Sequence, residues 1–393
     1  MCCVESGGSS MSSIYSAGSK ERLLTSANWV KLQITRAIYK NKINDISKKS
    51  SQYFRIEDNG YQEHIDYWKS HGFKNIDKRW YLWYRGCSGI DDEKYVPEDI
   101  YYTKIEPNLN NQYLSLAYAD KNLYEQRYDP NLFPHTALRC INGVFYDRYY
   151  NMLNGRSALD LLKDLEKGVY VLKPSIGFGG GGGVRAVRID EGVIFDTDKR
   201  KISLNDQVRF YNGNLLVQHK IEQDRFFAQF HSGSVNTMKL YTYYSEYSDE
   251  PYVLKSVLRM GIGNLFTDDP CTGGIACGIH CDGRLNSFAF DAYGYNYHEH
   301  PDSKVTFEGK TVPNFDKIVD IAKKIQLSNH HFHVLGIDMY VDKGGNAKIL
   351  EINTRNNEIN YHQLHGGSLF GDLTKEVIEI SKKQINGGHI LWY

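Results

Sequence analysis

Apolar and polar positions alternate differently in successive stretches of the chain. Residues 1 to about 20, MCCVESGGSSMSSIYSAGSK, are rich in Ser and Gly without a period, which predicts a flexible tail. From Glu21 to Ser47, Trp29, Leu32, Ile34 and Ile38 recur at helical spacing and predict one or two helices. The stretch from Tyr53 to Tyr118 mixes aromatic and charged residues and predicts an accessory lobe of mixed structure. Its Trp68, Trp80 and Trp83 read as core packing, with a sugar-stacking platform as the alternative. Regular alternation then sets in. Ser157 is placed to cap a helix with Leu159, Leu162 and Leu165 on one face and Gly168 at its end, and the strand Val169 to Leu172 follows. A second helix is predicted from near Asn314, with Ile318, Ile321, Ala322 and Ile325 inward. It leads through His330, His331 and His333 into another strand.

Two features of this later region carry chemistry. In the first, Lys173 closes a strand and residues 177–183 hold six glycines in seven positions, before Val184-Arg-Ala-Val-Arg-Ile189 alternates like another strand. Glycine admits positive φ and lets backbone N–H groups approach an anion closely. Gly177, Gly179 and Gly182 satisfy G-x-G-x-x-G literally, but a dinucleotide fingerprint opens a helix, and here a strand follows. A Walker loop is excluded as well, because the lysine precedes the glycines. The pattern predicts a strand–loop–strand flap over nucleotide phosphates, with Lys173 supplying charge; a plain mobile tether is the alternative.

The second feature is a hairpin. Alternating runs flank Gly344-Gly345, and a turn centred there puts Asp338 opposite Glu351, with Asn353 two residues along on the same side. Opposed carboxylates repel unless a cation lies between them. Oxygen donors of this kind suit magnesium, which takes one or two carboxylates and completes its shell with phosphates and water.

Composition agrees with a small-molecule site. Lys plus Arg and Asp plus Glu both total 47, so no net field favours nucleic acid or an anionic membrane. No run approaches the ~18 apolar residues that a spanning helix needs. The seven cysteines form no C-x-x-C pair, which predicts a reducing cytoplasm.

On these residues the chain resembles the ATP-grasp superfamily. The late signature, an aspartate and then Glu-x-Asn on the next strand, reads here as Asp338 and Glu351-Ile-Asn353; Lys173 matches the central lysine. Leu215 to Glu222, holding Gln218, His219, Lys220 and Ile221, matches the hinge strand that receives adenine. Within the superfamily, Tyr118-Ala-Asp-Lys-Asn122, Arg139-Cys-Ile-Asn142, Ser234-Val-Asn236-Thr237-Met-Lys239 and Gly273-Gly274 look most like the sugar-transfer-associated ATP-grasp proteins of bacterial surface-polysaccharide synthesis. Lys239 stands where many relatives have arginine, and the glycine run is unusually long.

The resemblance implies an α+β fold in which two α/β lobes grip ATP. It places a glycine-flap lobe at about 135–220 and a metal lobe at about 221–393 within a domain of 119–393, behind an accessory region of 21–118. It implies magnesium, as two ions with Mn2+ as a substitute, held by Asp338, Glu351 and Asn353. Phosphate contacts are implied for Lys173, Gly179, Gly180, Gly181, Gly182 and Arg259, with Arg139 and Lys239 as weaker candidates. The implied reaction is ADP-forming ligation of a carboxylate, such as a uronic acid or nucleotide-sugar, to an amine in the bacterial cytoplasm, without nucleic acid or membrane insertion. The aromatic lobe could serve a homodimer. His362, Gln363 and His365 are candidates to line the acceptor site. A small-molecule kinase and a non-catalytic nucleotide-binding partner remain the rival readings.

Overall fold

A computed structural model describes residues 17–55, 60–177 and 182–383. Most of the predicted tail, residues 1–16, lies outside them, whereas residues 17–20 already belong to a helix, Ala17–Lys49. That helix is continuous, but among its residues from Ala27 onward, whose burial is described, the buried ones are Thr35, Ile43 and Ile46, while Trp29, Ile34 and Ile38 are exposed. Helices Gly60–Ser70 and Lys78–Ser88 follow. Asp77 caps the second of them by accepting the Arg79 N–H, and Gly89 ends it at φ 71°.

Of the helical or mixed accessory lobe expected, the helical form is found: among the described residues up to Ala119 there is no strand beyond the bridge Asn110↔Phe332. Trp68, Trp80 and Trp83 are at most 1% exposed, which makes them core. Each contributes about 2–3 kcal/mol by burial.

Two antiparallel sheets follow. The first holds β1 (Thr136–Ile141), β2 (Val144–Tyr146), β3 (Met152–Leu153), β4 (Gly168–Pro174), β5 (Arg185–Asp190), β6 (Val193–Phe195), β7 (Lys201–Ile202) and β8 (Leu215–His219), in the order β3-β2-β1-β8-β4-β5-β6-β7. The helix Gly155–Asp164 packs on it through Ala158 and Leu162. Asn154, and not Ser157, caps that helix by accepting the Ser157 N–H at 2.9 Å, and the helix stops four residues short of Gly168. Asparagine competes as well as serine for this position.

The second sheet holds β9 (Thr237–Tyr243), β10 (Tyr252–Met260), β11 (Ile275–Ile279), β12 (Leu285–Phe290), β13 (Asn296–Tyr297), β14 (Val334–Val341) and β15 (Ala347–Asn353), in the order β13-β12-β11-β10-β9-β14-β15. One face, with Met238, Leu240, Leu258, Leu335 and Ile337, is covered by the predicted helix at Phe315–Leu327. The other face carries Tyr241, Tyr243, Val257 and Ala276, which pack on the accessory helices around Trp68, Trp80 and Trp83. Residues of this second face that the helices leave uncovered form the wall of a cavity.

Candidate active site

β14 is buried along its whole length because it lies between β9 and β15. A charged residue at its centre is therefore held away from bulk water and needs partners. Asp338 pairs with Glu351 on β15 and with Lys239 on β9, and Lys239 pairs with Val257 on β10. Partners opposed across strands share a face, so Glu351, Asp338 and Lys239 form one row across the sheet.

The predicted pairing of Asp338 with Glu351 arises by a different route. The turn is centred on Gly344, with the Asp342 N–H bonded to Asn346 O at 3.0 Å and Gly345 at φ 79°, a conformation that glycine adopts without strain. Near the turn Met339 pairs with Ile349; the register then shifts, so that Leu350 is the extra residue and Asp338 falls opposite Glu351. Without this bulge the glutamate would be one residue out of line and on the opposite face.

The charges on this row are balanced within the protein. Lys239 Nζ lies 3.1 Å from Asp338 Oδ1, and Arg259 Nη2 lies 3.2 Å from Asp338 Oδ2. Lys121 Nζ reaches Glu351 Oε1 at 2.7 Å. The Asn353 amide donates to Asp338 Oδ2 at 3.2 Å. The expectation that opposed carboxylates demand a metal therefore loses force, because lysines and an arginine offset the repulsion. Burial works against the charge of Asp338, yet Arg259 and Lys239 keep its carboxyl below the usual range. Lys121 does the same for Glu351 against burial and the neighbouring Asp338. Burial likewise opposes the Arg259 charge, but Asp268 and Asp338 raise its proton affinity. Asp268 is anchored by the Thr237 N–H at 2.9 Å and lies 3.6 Å from Arg259 Nε.

A cavity of about 740 Å³ adjoins this row, walled by both sheets, and the chain passes from one sheet to the other along it. Gln218, His219, Lys220 and Ile221 all line it, as do Lys173, Gly177 and Gly182. Gln218 is fixed by donating to Thr136 Oγ1 at 3.0 Å. Lys343 N donates to Glu222 O at 2.8 Å, which ties this crossing segment to the β14–β15 turn. Lys173 is 6% exposed, and burial, aided by the charge of Lys121 and opposed by Glu351, lowers its pKa to about 7. The strands flanking the glycine run pair as an antiparallel hairpin, Leu172 opposite Arg185. Gly179, Gly180 and Gly181 lie outside the described residues.

Arg139 does not line the cavity. It is fully buried on β1, with Nη2 2.7 Å from Glu125 Oε2 and Nη1 2.8 Å from the Tyr150 hydroxyl. His362, Gln363 and His365 sit on the helix Asn360–Gly366 and bond the Lys239, Val96 and Ala276 carbonyls rather than lining the cavity. Residues that the sequence reading did not assign take their place. Lys121 was legible only as part of a resemblance. Lys42 and Glu98, at the far end of the cavity beside Glu358, carried no signal, because they come from helices distant in sequence.

The donor chemistry fits a magnesium ion, since Asp338 and Glu351 are held ionised and line the cavity with Asn353. Both Asp338 oxygens and one Glu351 oxygen are engaged by Lys239, Arg259 and Lys121, so a bound ion would have to displace or share these contacts. The sequence pattern of the family described as sugar-transfer associated ATP-grasp matches residues 101–378. No curated protein matches the chain. Among solved structures, D-alanyl-alanine synthetase A from Vibrio cholerae is similar over 68% of this chain and 66% of its own, at 12% identity and TM-score 0.38. The VanG D-Ala:D-Ser ligase from Enterococcus faecalis is similar over 70% and 64%, at 11% identity and TM-score 0.40. The ATP-grasp ligase PsnB with its minimal precursor is similar over 69% and 63%, at 12% identity and TM-score 0.37. The chain thus spans just under two thirds of the length of these solved chains.

Proposed function

Because the chain belongs to the sugar-transfer associated ATP-grasp family, we propose that it is a magnesium-dependent ligase that joins a carboxylate to an amine at the expense of ATP. The observation that carries this reading is the row Glu351–Asp338–Lys239, with Arg259 beside it, on a cavity wall that also holds Lys173 and Lys121. Adenine lies against Gln218 to Ile221, where the chain crosses between the sheets. Lys173 and Lys121 face the phosphates. Asp338, Glu351 and Asn353 would hold magnesium, which when bound neutralises phosphate charge.

A substrate carboxylate oxygen attacks the γ-phosphorus; the bond from that phosphorus to the β-phosphate bridging oxygen breaks and ADP leaves. Arg259 and Lys239 stabilise the transferring group from fixed positions on β10 and β9, at little cost in reorganisation. A neutral amine then attacks the acyl carbon of the acyl phosphate, and inorganic phosphate departs. The carboxylate we favour is a uronic acid of a bacterial surface glycan, as the family description points to sugar transfer.

The test incubates the protein with magnesium-ATP and pooled uronic acids and amino acids, and follows every phosphorus species by NMR with Glu351→Ala as control. Acceptor-dependent ADP and free phosphate, absent from the control, are expected. A new phosphate ester would identify a kinase and overturn the acyl phosphate. Nucleotide binding without turnover of any pool would favour a non-catalytic role.

A further inference from the structure

The far end of the cavity, away from the nucleotide segment, is built from the accessory helices and the loop after β15. Tyr39, Lys42, Glu98, Tyr102, Glu358 and Tyr361 line it. Lys42 Nζ donates to Glu98 Oε1 at 2.7 Å. Glu98 is 1% exposed, and its second oxygen, Oε2, has no hydrogen-bond partner among the described residues. A buried carboxylate oxygen left in this state costs about 1–3 kcal/mol or more, so it calls for a partner, which can be an ordered water, an ion or a ligand.

Glu358 belongs to the same cluster. Its Oε1 accepts the Asn360 N–H at 2.7 Å and its Oε2 the Tyr361 N–H at 3.3 Å. Burial raises its proton affinity, Lys42 counters this, and the charge of Glu98 raises it further, so the two carboxylates sense each other. Two carboxyl groups thus face one lysine, and because burial and the Glu98 charge strengthen the hold of Glu358 on its proton, the cluster carries at most one excess negative charge, in a cavity whose phosphate end is rich in cations. The stacked rings of Tyr39 and Tyr102, with centroids 4.5 Å apart, form an apolar wall beside them. Glu358 follows Asn353 by five residues, so its Cα lies within about 18 Å of that of Asn353 at the end of β15.

We infer that this end of the cavity binds the acceptor as a primary amine, its ammonium group captured between Glu98 Oε2 and Glu358; one proton passes to the Glu358 carboxylate, and the neutral amine so formed is the species that attacks the acyl carbon. An ammonium group brings three donors and one positive charge, which satisfies the unpartnered oxygen and cancels the excess charge in one step. An anion would meet two carboxylates, and a neutral alcohol would leave the charge uncompensated. The role as acceptor site rests on the ligase reading above; the preference for an amine rests on the cluster alone.

The experiment uses the full chain with magnesium-ADP present. Ethanolamine and putrescine are titrated by ligand-observed NMR, against ethylene glycol and acetate as uncharged and anionic probes. The amines are expected to bind and the other two not to. Glu98→Gln and Glu358→Gln are each expected to weaken amine binding roughly ten- to hundredfold while nucleotide affinity is retained. Failure of both amines to bind the wild-type protein, equal binding of ethylene glycol, or amine affinity unchanged in both variants would each overturn the inference. The wild-type comparison of probes decides even if a variant does not fold. Hydroxylamine separates this inference from the ligase reading, since it traps an acyl phosphate without needing the ammonium site. Hydroxamate formed by a protein whose amine binding ignores Glu98 sinks only the inference. Amine binding that depends on Glu98, with a phosphate ester as the product, sinks only the ligase.

Discussion

Arg139 gives the sharpest test of how position in the fold overrides residue type. Its charge suggested phosphate contact, but it has 0% exposure and makes an ion pair with Glu125, itself about nine-tenths buried, at 2.7 Å. The guanidinium also donates to Asn122 O at 3.1 Å and lies 4.1 Å from the centre of the Tyr150 ring. Removing one member of a buried pair strands the other charge at a cost of about 3–5 kcal/mol. Loss of the ring contact adds about 1 kcal/mol. Arg139→Met should therefore lower stability by roughly 4–6 kcal/mol, read from the urea midpoint and slope, while the folded fraction binds magnesium-ATP as the wild type does. Adding Glu125→Leu should recover several kcal/mol, because no unpaired charge then remains buried. An Arg139→Met protein of normal stability with weakened nucleotide affinity would refute this placement and return the residue to the phosphate site.

Three further expectations follow from named contacts. Lys121→Met leaves Glu351 without its 2.7 Å cation and should reduce ATP turnover at least about tenfold in the phosphorus assay, with little change in secondary structure by circular dichroism. In Gly274→Ala the new Cβ would lie 2.7 Å from Met260 O and 2.8 Å from Asp268 O, both backbone atoms. It should cost about 1–3 kcal/mol in thermal denaturation and also impair turnover, because Asp268 positions Arg259. His64 and His362 are held neutral, their pKa values lowered to about 4 and about 3, chiefly by burial. The unfolded chain binds the extra protons below its ordinary histidine pKa, so stability is lost as pH falls from about 6.5, by about 2 kcal/mol per residue at pH 5. His64→Gln should flatten that slope in urea titrations at a series of pH values; an unchanged slope would count against a buried neutral imidazole.

How much was legible beforehand depended on whether a residue's partners were local. The hairpin of β14 and β15 announces itself through alternation around two glycines, so Asp338 and Glu351 could be set opposite each other from residue spacing alone. Even there the pairing depends on a bulge at Leu350 that no periodicity reveals, since an extra residue in one strand leaves the hydrophobic pattern nearly intact. The cap at Asn154 was misplaced onto Ser157 because both are good capping residues three positions apart, and only the backbone decides between them. The exposure of Trp29, Ile34 and Ile38 contradicts the usual reading of a helical apolar stripe, as tertiary packing of the Ala17–Lys49 helix uses its later residues, Ile43 and Ile46.

The cations are harder still, and for a physical reason. A strand position specifies which face a side chain occupies, but not whether that face meets solvent, core or cavity. Lys239, Arg259 and Arg139 all lie on strands among apolar neighbours and look alike in sequence. Lys239 and Arg259 differ from Arg139 because β9 and β10 adjoin β14 on the uncovered face, whereas β1 presents Arg139 to Glu125 and Tyr150. The amine end of the cavity shows the limit of local reading. Lys42 comes from the first helix, Glu98 from a short helical turn before the family's matched region, and Glu358 from the loop after the metal strand. Each alone reads as an ordinary surface charge. Only the packing of the accessory helices against β9 and β10 brings them to one wall, which implies that this region does more than shield the sheet: it supplies half of a substrate site. Exchanging the accessory region between members of the family should then change the amine that is accepted while leaving nucleotide binding unaltered, and retention of the original amine preference in such a hybrid would place acceptor recognition elsewhere.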